Sequence, residues 1–302
     1  MSERIKPTSD LGMKKITSTP ESKDVLRGLI GDFFDLWIPL EEIHITAPYD
    51  IRSYEEYVKR LRGGEEISET LRQTVQDVVA DIKIADFSAE AQIRRDNYFS
   101  VRSIRYSCTR FCANYNVPGK MITMYDGTPL RYSSLKPVYS LNILGYPHFT
   151  GDDDALRIFG FYDRKRNKSF DREYITIAYF ELTKNLIETE NQRHWKTFFQ
   201  TGEAPADAPD YIKKAAQFIE IANLTKEERD MYEQIQRAKD IYDSERYTAQ
   251  IEGEKIGAAR GEAKLKEEML AVAKSLLEAG MPIAEISLHT KLSEDEIRKL
   301  AH

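Results

Sequence analysis

Residues 84–92 alternate between apolar and polar side chains, and this short run limits the folds open to the chain more than any other. Phe87, Ala89 and Ala91 fall on one side, and Ser88, Glu90 and Gln92 on the other. A two-residue period belongs to an extended strand with one face in a core and the other polar. Such a strand needs partners. Val75, Val78 and Val79, just upstream, are β-branched as strands favour, and 42–47, 136–144 and 173–182 read as further strands. Helical periods lie between them. Residues 20–38 place Val25, Leu26, Leu29, Ile30, Phe33, Phe34 and Trp37 on one face, with Thr19 as cap, Pro20 in the first turn and Pro39 as the stop. Residues 95–115 place Tyr98, Val101, Arg105, Cys108 and Cys112 near one stripe, and 50–70 read as a surface helix and loop. Strands interleaved with helices predict an α/β domain with a mixed sheet.

After Lys184 the character changes. The segment 201–209 is rich in Ala, Pro and Asp and reads as a linker. It separates an N-terminal domain, 1–200, from a helical C-terminal region, 210–302. Gly253, Gly257 and Gly261 recur within a long helical stretch, each weakening it by ~1 kcal/mol relative to Ala. Leu265, Met269, Val272 and Leu276 then form a stripe that requires a partner, either a later helix or a second subunit. The tail predicts two short helices joined by a tight turn, a helix-turn-helix-like cap. Ser293 and Glu296 have the spacing of a capping box.

The 302 residues suffice for a sizeable core, and the net charge of −6 argues against a uniformly basic nucleic-acid coat. A local basic groove remains open. Residues 1–20 lack an apolar signal core, and no run reaches the ~20 apolar residues of a membrane span. The two cysteines, Cys108 and Cys112, read as reduced core thiols on one helix face. These features predict a cytoplasmic protein.

The chemistry centres on Asp77 and the run Ala89-Glu90-Ala91-Gln92. Period two puts Glu90 and Gln92 on one face, and an adjacent strand would bring Asp77 towards Glu90. Paired carboxylates suit Mg²⁺, a hard cation that keeps waters for substrate phosphate to replace. Acidic residues on the polar face of a strand are also common, so spacing alone leaves both readings open.

The ordered set of motifs resembles the PD-(D/E)xK nucleases of the recombination-promoting nuclease and putative transposase family. The set comprises Pro7-Thr8-Ser9-Asp10 with Lys14-Lys15, then Asp77, then Glu90-x-Gln92. Arg102 to Tyr106, Leu135-Lys136-Pro137-Val138, Glu181-Leu182-Thr183-Lys184 and Gly280-Met281 with Ile286 follow in order. The resemblance spans about residues 5–300. It implies a restriction-endonuclease-like mixed sheet flanked by helices, followed by a mostly helical C-terminal region, with DNA as substrate and a role near mobile elements. By position, Asp77, Glu90 and the carbonyl of Ala91 would hold Mg²⁺, with Mn²⁺ as an alternative. Gln92 replaces the usual Lys and would orient water or contact phosphate, with Arg102 or Arg105 supplying positive charge. Glu41 or Glu42 is the nearest counterpart of the first-helix Glu found in many related nucleases. Glu181 and Lys184 read as a strand-end ion pair. The alternative is a catalytically silent DNA-binding or oligomeric protein, with self-association through the C-terminal helices.

Overall fold

The computed structural model describes residues 4–45, 56, 59–60, 78–82, 84–170 and 173–300. It divides into two compact units, Met1–Gln236 and Arg237–His302. The first is built on a mixed sheet. Its strands are β1 (Ile43–Ile45), β2 (Val78–Ile82), β3 (Asp86–Gln92), β4 (Val138–Leu144), β5 (Leu156–Phe159) and β6 (Ile175–Glu181). Their spatial order is β1-β2-β3-β4-β6-β5. The first three strands form an antiparallel meander, β4 runs parallel to both β3 and β6, and β5 closes the far edge antiparallel to β6. A helix, α3 (Phe99–Ala113), lies in the chain between the parallel strands β3 and β4.

The two sheet faces differ. Phe87, Ala89, Leu141, Ile143, Ala178 and Phe180 enter the main core. There they meet α1 (Asp10–Thr17), α2 (Lys23–Phe34), α4 (Glu190–Thr201) and α5 (Asp210–Phe218), which contribute Leu11, Leu29, Trp195 and Ile212. The alternation read in 84–92 thus has its apolar side in this core. The opposite face, with Ser88, Glu90, Ser140 and Asn142, lies beneath α3. Ser140 shares hydrogen bonds with Ser88 (3.0 Å) and Ser107 of α3 (2.8 Å).

This polar face explains one correction. The buried residues of α3 are Phe99, Ser103 and Ser107. The stripe expected to face the core points outwards, with Tyr98 and Val101 exposed and both cysteines free and exposed. Ser107 turns inwards where Ser140 of the sheet meets its hydroxyl.

The N-terminal region differs from its reading as well. An unforeseen helix, α1, comes first, capped by the Ser9 side chain. The expected helix at 20–38 is a short 3₁₀ turn, Pro20–Ser22, followed by α2, which ends at Phe34 where Asp35 turns left-handed with φ 52°. Trp37 therefore lies beyond the helix and is about half exposed, against the expected burial. A partly buried hub fixes α2 to α4 and α5. Asp32 accepts hydrogen bonds from Trp195 Nε1 (2.8 Å), Tyr211 (2.9 Å) and Asn191 (2.9 Å). The surface segment expected at 50–70 lies almost wholly outside the described residues, as do Val75 and the end of the strand expected at 42–47.

The second unit contains most of α6 (Lys226–Glu278), with α7 (Ile283–Thr290) and α8 (Glu294–Arg298). Ala273, Ile286, Leu292 and Ile297 form its small core, with Met269 and Leu276 packed against them. Later helices thus cover part of the predicted stripe, while Leu265 and Val272 stay exposed. The Ser293–Glu296 capping box is present.

Helix packing depends on close approach at Gly28, where an added Cβ would lie 2.3 Å from the Tyr211 ring. Gly28→Ala is expected to lower unfolding free energy by about 1–3 kcal/mol in denaturant titrations through overpacking. Gly253→Ala, in open space on α6, should instead raise helical content by circular dichroism, with a gain of up to ~1 kcal/mol.

Candidate active site

The candidate site forms where β3 ends and α3 begins. β2 runs antiparallel to β3, with Val78 opposite Ala89, and β4 places Asn142 beside Glu90. Glu90 and Gln92 share the face beneath α3, as period two requires. Asp77 lies outside the described residues, next in sequence to Val78.

Arg102 organises this corner. It sits in the first turn of α3 and donates to Glu90 Oε1 at 2.6 Å, Gln92 Oε1 at 2.9 Å and Asp96 Oδ2 at 3.0 Å. Its guanidinium lies 5.0 Å from the centre of the Phe99 ring, a distance at which cation–π attraction helps to hold it. Gln92 has both ends of its amide engaged, since Nε2 donates to the Arg94 carbonyl at 2.7 Å. The structure therefore brings Glu90, Gln92 and Arg102 together. Ala91, between the two acceptors, packs its side chain against the main core. Arg105 lies on the exposed side of α3, its guanidinium 5.7 Å from the Tyr106 ring centre.

Glu90 is largely removed from water, with 16% of its side chain exposed. Burial pushes its pKa above the ordinary carboxylate range. Arg102 opposes that shift by charge and hydrogen bond, and the charges of Asp10 and Asp96 add to it. The sequence reading gives Asp10 no part at this corner, yet its charge acts on Glu90. Asp10 occupies the first turn of α1, and α1 packs against β2 and β3. Lys14, one turn later, is fully buried. Ser9 before a short apolar-periodic run is an N-cap signal that could have revealed this helix.

Other acidic candidates fall elsewhere. Glu41 and Glu42 lie in a 3₁₀ turn before β1, and Ile43 pairs with Ile82. That is the opposite end of β2 from Val78, so neither takes the role expected for a first-helix Glu. Asp81 faces Asp86 at the same end and is bound by Lys120 (2.8 Å) and Lys136. Burial raises the Asp81 pKa, but the two lysine hydrogen bonds outweigh it and hold the carboxyl below its usual value.

Glu181 and Lys184 do form a pair, 2.8 Å apart and almost fully buried. Glu181 also accepts from the backbone N–H groups of His148 and Phe149. A buried carboxylate so bound fixes the loop after β4 to the end of β6.

The family model for PD-(D/E)XK nuclease family transposases matches residues 7–250. The chain belongs to this family. No curated protein and no solved structure matches it. The mixed sheet flanked by helices, with its helical C-terminal region, agrees with the restriction-endonuclease-like fold of a PD-(D/E)XK nuclease. The matched range includes α1 with Asp10, the meander with Glu90 and Gln92, α3 with Arg102, and the first part of α6. Membership supports a nuclease-type function linked to mobile elements. Among the described residues, no helix is long and apolar enough to cross a membrane.

The Glu90–Arg102 pair has a testable pH signature. Burial sets the folded pKa of Glu90 above its unfolded value. Its ionisation therefore costs no stability below the unfolded pKa, and the full cost is present above the folded one. Arg102→Gln widens that gap. The variant should lose about 1–3 kcal/mol more stability at pH 8 than at pH 4 in denaturant titrations, somewhat less than for a fully buried pair. An equal loss at both values would mean that Arg102 does not compensate Glu90.

Proposed function

We propose that this nuclease-family chain is a divalent-metal-dependent DNA endonuclease that hydrolyses phosphodiester bonds, using Mg²⁺ or alternatively Mn²⁺. The observation that carries this reading is the mostly buried carboxylate of Glu90, held by the Arg102 guanidinium at 2.6 Å. Such a carboxylate, offering only oxygen donors, fits a hard cation. Asp77, Glu90 and the Ala91 carbonyl would hold it, as the family resemblance implies, and Asp10 is added as a further oxygen ligand. A bound divalent ion supplies Lewis acidity and a water of lowered pKa.

The remaining roles belong to side chains. Gln92, with its amide fixed at both ends, holds Arg102 in register with Glu90. Arg102 neutralises Glu90 in the metal-free chain, and with a divalent ion on Glu90 its guanidinium would be free to hold a phosphate oxygen. Its fork of donors suits that geometry. Arg105, exposed on α3, contacts the DNA backbone. Exposed Leu265 and Val272 give the C-terminal helices a face for self-association. The cytoplasm, where the free thiols of Cys108 and Cys112 stay reduced, is the proposed compartment.

A second reading has its own support. Gln92 carries no charge, and Arg102 already binds Glu90, an arrangement that also fits a silent DNA-binding relative. Plasmid nicking separates the two. The endonuclease reading predicts cleavage with Mg²⁺ or Mn²⁺ that falls to background in Asp77→Asn and Glu90→Gln. Arg102→Gln should reduce kcat by about 10²-fold, the scale of one lost transition-state donor. Salt-sensitive DNA binding without cutting by folded wild type would favour the silent relative.

A further inference from the structure

We infer a second metal site, independent of the sheet-end carboxylates, formed by Glu190, His194 and Asp207. Glu190 opens α4, and His194 follows one turn later on the same helix face. Asp207 comes from the segment that joins α4 to α5. Each residue offers one donor atom, and the three lie within 4.8 Å of one another.

His194 supplies the independent observation. It is only 7% exposed, so the imidazole is buried. Its Nδ1 has no hydrogen-bond partner, and its Nε2 faces Asp207 Oδ2 at 3.4 Å. That distance is longer than a typical N–H···O bond of about 2.7–3.2 Å. It is instead about the donor–donor edge of a tetrahedron with ~2.1 Å metal–ligand bonds. A buried imidazole directed at a carboxylate but too far to bond it well suits a shared cation. Glu190 is exposed and has room to turn towards the same point.

The donor set identifies the class of ion. One imidazole nitrogen and two carboxylates suit Zn²⁺ or a similar transition metal, whereas Mg²⁺ prefers oxygen and retained water. Three protein ligands leave a fourth position for water, so the ion is exchangeable. The positive end of α4 opposes a cation here, and the two carboxylates offset it. The ion would clip the α4–α5 connection to α4. Ala208, directly after Asp207, is buried, and α5 carries core residues Ile212 and Ala215, so the clip anchors a segment already committed to the core.

The test is Zn²⁺ titration calorimetry on the untagged, metal-stripped full chain carrying Glu90→Gln, with millimolar Mg²⁺ present throughout. One Zn²⁺ per chain is expected, with a thermal-unfolding midpoint that rises on binding. Asp207→Asn and Glu190→Gln, both at exposed positions and so expected to fold, should each weaken binding at least tenfold and remove the thermal shift. His194→Ala should abolish binding. Unchanged Zn²⁺ affinity in both carboxylate variants would overturn the proposal, as would the absence of Zn²⁺ binding by the folded chain. Neither outcome bears on DNA cleavage, so this site and the nuclease reading stand or fall separately.

Discussion

The first unit depends on how it buries a carboxylate. Glu90 lies near the end of β3 with little access to water, and ionisation there is costly without a nearby cation. Arg102 supplies the charge from the first turn of α3, and it binds Glu90, Gln92 and Asp96 at once. That contact sets where α3 begins relative to β3. It also leaves a carboxylate beside a side-chain cation, with Asp10 contributing further negative charge. A fold needing only stability would be served as well by an apolar pair of similar volume. Retaining charge here is consistent with a site that exchanges one cation for another.

The sheet makes this possible by keeping its faces chemically distinct. One face joins an apolar core with α1, α2, α4 and α5. The other presents hydroxyls, an amide and Glu90 to α3 beside a small apolar cluster of Phe99, Leu144, Ile177 and Tyr179, and Ser88, Ser107 and Ser140 satisfy one another across the boundary. The parallel pairing of β3 with β4 sets Asn142 beside Glu90, and Asn142 donates to the Ala178 carbonyl at 3.1 Å. The buried ion pair of Glu181 and Lys184 at the end of β6 fixes the loop that follows β4.

Much of this was legible in the sequence because alternation is a strong signal. Phe87, Ala89 and Ala91 against Ser88, Glu90 and Gln92 named both the strand and its faces, and Arg102 was placed beside it. What failed had physical causes. The sequence marks the helix at 95–115 by its larger side chains, Tyr98 and Val101, yet the sheet beneath it meets Phe99 with an apolar cluster and Ser107 with the Ser140 hydroxyl. Periodicity cannot reveal the character of an opposing surface. Asp10 carries no legible signal of its own, because α1 is only eight residues long and the effect of Asp10 on Glu90 arises from tertiary packing. Glu41 and Glu42 were proposed from order along the chain, and the antiparallel register of β1 puts them at the wrong end of β2.

In the proposed site Glu90, with Asp10 and Asp77, would hold a divalent ion in place of Arg102. Anomalous diffraction from crystals soaked in Mn²⁺ tests it most directly. The account predicts a peak within about 2.0–2.3 Å of a Glu90 carboxylate oxygen, with the Arg102 guanidinium moved off that oxygen. A Glu90–Arg102 contact unchanged at 2.6 Å, with no anomalous peak at Glu90 at saturating Mn²⁺, would contradict it.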